Sequence, residues 1–241
     1  MLAAELEVVP MKLGISSVFL LKAARPVLVD AGAKNDMPAL EAALAAQGVK
    51  VQDLAAVIVT HAHSDHAALA AEIKRRSGAI LVLGKGDVGM ARDGHNDELK
   101  PTNLMARILK RFAIDPVYEP FTPDVQVQGE LDLTRFGIAG RAVQMPGHTA
   151  GSLVVLLDDG RAFVGDMMLG GWMGGAVFAS QAGEHYFHAD LARNRANIAK
   201  LLHLPLHVKT FYLGHGGPVS RASVLAGFDL SDPVVVGEAA K

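Results

Sequence analysis

His61-Ala62-His63-Ser64-Asp65-His66 puts three imidazoles and a carboxylate into six residues, directly after the apolar run Ala56-Val57-Ile58-Val59-Thr60. Such a short β-branched run reads as a buried strand. Ala67 to Arg76, which follows, reads as a helix. The cluster is therefore expected on a strand-to-helix loop, where a rigid scaffold commonly presents catalytic or metal-binding groups. His61 and His63, two residues apart, point the same way along an extended backbone. Asp65 and His66 lie a step further on and can face a second ion.

Composition narrows the options. The chain has 241 residues, half of them hydrophobic, enough for a sizeable α/β core. No linker rich in Pro, Gly and Ser divides it, so residues 1–241 are expected to form a single domain. There is no cysteine, which excludes disulfides and thiolate metal ligands. Net charge is −2, and the basic runs Lys74-Arg75-Arg76 and Lys110-Arg111 fall on predicted helices as solvated faces. No nucleic-acid partner is expected. No window approaches about 18 uncharged apolar residues, so no membrane span is expected. The start, Met1 to Met11, carries Glu5 and Glu7 and does not read as a signal peptide, which points to a cytoplasmic chain.

Strands are predicted at Leu6 to Pro10, Ser17 to Leu21 and Pro26 to Val29, the last ending in Asp30-Ala31-Gly32. Met37 to Gln47 reads as a helix and Ala79 to Leu83 as a strand. Asn103 to Phe112 reads as a helix whose apolar stripe (Leu104, Met105, Ile108, Leu109, Phe112) is expected to pack in the core. Val125 to Gln128 opens a second half, followed by strands at Ile138 to Gln144, Ser152 to Leu157 and Arg161 to Val164. Asp158-Asp159-Gly160 between the last two is a hairpin signal. A helix at Asp190 to Leu202, a strand at Val208 to Leu213 and a short helix at Ser220 to Gly227 complete the order. Two halves of similar content suggest two facing sheets with helices outside.

Three further positions repeat one arrangement: a strand ends and a glycine precedes a candidate ligand. They are Gly147-His148, Gly165-Asp166 and Gly214-His215. With the cluster, the candidates are His61, His63, Asp65, His66, His148, Asp166 and His215. That is enough for two ions with an open position. Imidazole and carboxylate without thiolate suit zinc first, with iron and manganese also compatible. A natural division gives His61, His63 and His148 to one ion and Asp65, His66 and His215 to the other, with Asp166 bridging. Two ions roughly 3.5–4 Å apart would share and activate a water.

These residues, in this order and spacing, resemble the metallo-β-lactamase-fold hydrolases along nearly the whole chain. Asp30 matches the first motif, His61-Ala-His63-Ser-Asp65-His66 the second, His148 the third, Asp166 the fourth and His215 the fifth. The resemblance implies an αββα sandwich of two facing mixed β-sheets with helices outside and a dinuclear site at one edge. It gives Asp30 an orienting role. A bridging Asp166, where β-lactamases typically carry Cys or Ser, resembles the glyoxalase II and lactonase branches. It disfavours β-lactam hydrolysis.

The expected reaction is hydrolysis of an ester, lactone or thioester of a small-molecule substrate, a bridging hydroxide attacking the carbonyl. Asp65 and Asp166 are the catalytic candidates, with Tyr186 placed to hold a carbonyl. Met167 to Gly175, apolar and glycine-rich, is the expected substrate wall and lid, through Met168, Leu169, Trp172 and Met173, with His185 nearby. Alternatives are a phosphodiesterase or nuclease of the same fold, or an iron-dependent oxidoreductase of the persulfide dioxygenase kind. A homodimer is left open.

Overall fold

The computed structural model describes residues 6–112 and 115–229; the first residues of the N-terminal stretch read above for a leader lie outside them. The first sheet runs in sequence order: β1 (Glu7–Leu13), β2 (Ser16–Lys22), β3 (Val27–Val29), β4 (Ala56–Val59), β5 (Ile80–Gly84) and β6 (Val125–Val127). It is antiparallel from β1 to β3 and parallel from β3 to β6. β6 is the strand expected to open the second half; it instead closes the first sheet against β5.

The second sheet contains β7 (Glu130–Asp132), β8 (Gly140–Gln144), β9 (Leu153–Leu157) and β10 (Arg161–Phe163). A separate hairpin, β11 (Leu169–Trp172) and β12 (Val177–Gly183), precedes β13 (Thr210–Tyr212) and β14 (Val219–Ser220). The order in this sheet is β14-β13-β10-β9-β8-β7, with β10 and β13 parallel.

The central strands have two buried faces, as period-2 patterning allows. Phe19 and Leu21 of β2, Ile58 of β4 and Val155 and Leu157 of β9 fill the space between the sheets. Val18, Leu20, Val57 and Val59 face the other way, against Leu40 and Leu44 of α1 (Met37–Ala45) and Ile73. Val154 and Leu156 likewise pack on Ile198, Leu201 and Leu202, which belong to a long C-terminal helix. The result is helix, sheet, sheet, helix: an α/β sandwich of two mixed sheets.

The other helices are α2 (Ser64–Ala67), α3 (Ala70–Ser77), α4 (Val88–Asp93), α5 (Leu104–Leu109), α6 (Leu191–His203) and α7 (Arg221–Gly227). Two differences from the sequence reading bear on the site. Helix begins inside the His cluster, at Ser64, and breaks before α3, so Asp65 and His66 sit on a helical turn rather than a loop. The apolar stripe of α5 is not core: Leu104, Met105 and Ile108 are exposed, and Ala106 is the helix's buried residue. The helix is short and lies at the surface, and the Phe112 side chain is outside the described part. The basic run of α3 faces solvent in ion pairs, Lys74 with Asp124, Arg75 with Glu119 and Arg76 with Glu41 and Glu72. Among the described residues no helix is long and apolar enough to cross a membrane.

Candidate metal centre

Strand ends deliver the candidate ligands to one edge of the sandwich. β3 ends at Asp30, β4 at His61 and His63, β10 at Asp166 and β13 at His215, while the β8–β9 connection carries His148. The chain turns between His63, still extended, and Asp65, already helical. That turn sends the two halves of the cluster in different directions. It is pinned by Asn96 Oδ1, which accepts from Ser64 N at 2.8 Å, and by Ser16 Oγ, which donates to Asp65 O at 2.6 Å.

Two of the three glycines before ligands have separate reasons to be glycine. Gly165 has φ +52°, a region costly for other residues. Gly214 is needed for space: a Cβ there would lie 2.1 Å from Asp166 Oδ1 and 2.5 Å from His66 Cε1.

His61, His63 and His148 offer donor atoms within 4.8 Å of one another, and Asp65, His66, Asp166 and His215 form a second such group. Asp166 reaches both. Its Oδ2 lies 3.9 Å from His61 Nε2, 3.8 Å from His148 Nε2 and 3.3 Å from His215 Nε2, and its Oδ1 lies 3.4 Å from His66 Nε2. His185 joins His148 and Asp166 in a third group, its Nε2 3.3 Å from Asp166 Oδ2.

Each of the five histidines is held from behind. His66 Nδ1 donates to Asp30 Oδ2 at 3.0 Å, His148 Nδ1 to Phe187 O at 2.8 Å and His215 Nδ1 to Ile15 O at 2.8 Å. His63 is turned over: its Nε2 donates to Asp97 Oδ1 at 2.9 Å, and its Nδ1 faces His148. Thr60 Oγ1 donates to Asp30 Oδ2, which leaves it free to accept from His61 Nδ1 at 3.1 Å. An outward nitrogen that must carry the proton leaves the inward nitrogen a bare lone pair, the form in which imidazole binds a metal.

His61 Nε2, His66 Nε2 and Asp166 Oδ1 are buried without a hydrogen-bond partner. Leaving such an atom unpaired costs about 1–3 kcal/mol. Bare donors of both kinds converging on common points fit divalent cations.

The electrostatics agree with that fit. Burial pushes His61 and His148 well below the usual histidine pKa, aided for His61 by neighbouring His66 and for His148 by His61. For His66 burial is outweighed by Asp166, Asp65 and Asp30, which raise it well above the usual value. For His215 burial is outweighed by Asp166 and Asp65, to about 10. Burial also opposes the charge on Asp166 and Asp65. Even so, His215 and His66 hold Asp166 low, and His66 and His215 do the same for Asp65. In the metal-free protein, protons on His66 and His215 thus balance the carboxylates.

His63, Asp65, His148, Asp166 and His215 line the floor of a cavity of about 280 Å³. Leu169, Met173, His185 and Tyr186 of the expected substrate residues line it, with Ile15, Leu99 and Phe187. Two of those residues go elsewhere. Met168, the neighbour of Leu169 on the opposite face, is fully buried in the core under the second sheet. Trp172 lies past the bulge near Gly171 and faces a neighbouring groove. The expected lid is one arm of the β11–β12 hairpin.

Sequence reasoning missed the supports. Asp87 accepts from Ala62 N at 3.1 Å, Thr149 Oγ1 at 2.7 Å and Gly151 N at 2.6 Å, tying the His61 loop to the His148 loop. Tyr118 donates to Ala62 O at 2.7 Å. Asp87, Asn96, Asp97 and Tyr118 come from a stretch whose sequence carries no spacing signal.

Residues 11–215 match the family described as Metallo-beta-lactamase superfamily. A metallo-beta-lactamase family protein from Thermus thermophilus superposes with TM-score 0.64 at 21% identity, over 92% of this chain and 77% of that one. BJP-1, a subclass B3 metallo-beta-lactamase of Bradyrhizobium japonicum, gives 0.61 at 19% identity, over 98% and 87%. TTHA1623 in a di-iron-bound form gives 0.64 at 21%, over 90% and 96%. Identities this low speak for the fold alone, but the family match covers most of the chain and the His/Asp cluster lies at the strand ends: the chain belongs to the metallo-beta-lactamase superfamily.

Proposed function

We propose that the chain is a dinuclear metal-dependent hydrolase of an ester, lactone or thioester. The observation that carries this reading is the convergence of seven imidazole and carboxylate groups, several with bare buried donor atoms, beside an apolar cavity that five of them line. His61, His63 and His148 would hold one ion, Asp65, His66 and His215 the other, and Asp166 would lie between them. Bound there, two divalent ions supply a polarised carbonyl and a water of lowered pKa. The nitrogen and oxygen donors suit zinc, and the di-iron form of TTHA1623 supports iron as the rival.

The chain's own groups divide the remaining work. Asp65, held as a carboxylate, is placed to take a proton at its Oδ2, 3.1 Å from His215 Nε2. His185 and Tyr186 line the cavity as donors toward a substrate oxygen. Ile15, Leu99, Leu169, Met173 and Phe187 exclude water from the reacting bond. Among the described residues no Lys or Arg lines this cavity, which favours a neutral carbonyl compound over a phosphodiester.

The test is metal content of protein purified without added metal, paired with chromogenic ester, lactone, thioester and phosphodiester substrates. About two ions per chain, with carbonyl-substrate turnover lost in His61→Ala and Asp166→Ala, supports the reading. One iron per chain and an inert panel overturns it.

A further inference from the structure

We infer that a groove beside the metal centre seats a straight alkyl or acyl chain, so that the substrate is an ester, lactone or thioester bearing one. The inference rests on the hydrolase reading above.

The groove runs between α5 and the β11–β12 hairpin, walled by Leu104, Met105, Leu169, Trp172 and Tyr186. Leu169 and Tyr186 also line the metal cavity, so the two spaces adjoin, and the proposed chain would run past these two side chains from one to the other. The groove's sides are apolar and open to solvent: Leu104 is 73% exposed and Trp172 64%. Apolar side chains of this size gathered at a cavity mouth mark a ligand or partner site.

The side-chain polar groups along this wall are engaged or buried away from solvent. Asn103 Oδ1 accepts from Ala106 N at 2.8 Å as the cap of α5. Glu184 Oε2 accepts from Arg195 at 2.5 Å, and among the described residues its Oε1 is buried out of solvent without a partner. The Tyr186 carbonyl accepts from Thr102 N at 2.9 Å and from Thr102 Oγ1 at 3.0 Å. A peptide laid here would leave its own amide groups short of partners at these positions. A hydrocarbon chain has none to satisfy. Its carbonyl end, reaching past Leu169, would arrive at the donor floor.

Trp172 is the chain's single tryptophan, so its emission reports on the groove. The experiment titrates the metal-loaded full-length protein with sodium acetate, hexanoate, octanoate and decanoate, each below its micelle concentration. Emission is read alongside hydrolysis of p-nitrophenyl esters of the same lengths. Each methylene moved out of water is worth up to about fourfold in affinity. The expected result is a blue shift and a two- to fourfold rise in affinity per methylene, flattened in Leu104→Asp. That position is exposed, and a thermal melt checks that the variant is folded.

Equal affinity along the series overturns the groove, and does so without touching the hydrolase reading if the short esters turn over. A rising series with no ester hydrolysed supports the groove and sinks the hydrolase reading instead. A blue shift that tracks protein concentration without ligand gives the surface to a second copy. One seen with phosphatidylcholine vesicles but not monomeric decanoate gives it to a membrane. Either overturns the inference.

Discussion

Asp30→Asn should weaken the metal centre through its backing. Asp30 Oδ1 accepts from Thr60 N at 2.7 Å, and Oδ2 accepts from Thr60 Oγ1 and His66 Nδ1, both at 3.0 Å. Its φ is +64°, a left-handed conformation that Asn also tolerates, so backbone strain does not confuse the comparison. The amide keeps one acceptor for Thr60 N but presents NH₂ where Oδ2 stood. His66 can then pair only by giving up its Nδ1 proton, which leaves its remaining proton on Nε2, the atom turned toward the other ligands. Thr60 loses its acceptor and is driven to donate to His61 instead. One charge-assisted bond of about 1.5–3 kcal/mol goes outright and a second is reversed, for about 2–4 kcal/mol of metal-free stability. Disturbed backing of this kind typically costs 10–100-fold in metal affinity. The weaker site should be the one holding His66, with a smaller effect at His61 and none imposed directly on His63 or His148. Chelator competition resolves the two binding constants, and urea unfolding of the metal-free form reads the stability. Two wild-type binding constants in a folded Asp30→Asn protein would refute the reasoning.

Four other outcomes follow from the same geometry. Gly214→Ala drives a Cβ into Asp166 and His66, so the purified variant should carry fewer than two ions per chain while staying folded, as elemental analysis and circular dichroism would show. Asp87→Ala strands Ala62 N, Thr149 Oγ1 and Gly151 N in a buried place and should lower the urea stability by about 3–5 kcal/mol. The raised pKa of His215 stabilises the metal-free fold fully below about pH 6.5, where the unfolded histidine is also protonated. That contribution should fade as pH rises through about 10, and binding a metal near neutrality should release about two protons, from His66 and His215, measurable by calorimetry in buffers of different ionisation enthalpy.

The strands and the candidate ligands were legible because both depend on local pattern. A buried strand must alternate two apolar faces, as Val57 and Ile58 do, and a ligand-bearing turn must follow its end. The halves of the cluster separate because His63 is still extended while Asp65 is helical, a switch that the six-residue motif does not announce. Nor does it announce that His63 turns the opposite ring nitrogen inward. That choice is made by Asp97, 34 positions on, which takes the proton of Nε2. Which nitrogen faces inward is a property of the partner behind the ring, and those partners, Asp30, Thr60, Asp97, and the carbonyls of Ile15 and Phe187, arrive from five separate places in the chain.

The misreading of α5 has a related cause. An apolar stripe at helical spacing states only that one face avoids water, not what covers it. For α6 the cover is the second sheet, and Ile198, Leu201 and Leu202 vanish into it. For α5 the sheets are already covered, the helix is six residues long, and its stripe turns outward beside Trp172. Had Leu104, Met105 and Ile108 served only stability, a short surface helix would gain more from polar residues there, since exposed apolar side chains add nothing to the core and favour association. Their presence next to a cavity floored by metal-capable groups makes sense when something apolar covers them part of the time. The feature that misled the reading of the fold is therefore the one that best narrows the chemistry of what the site accepts.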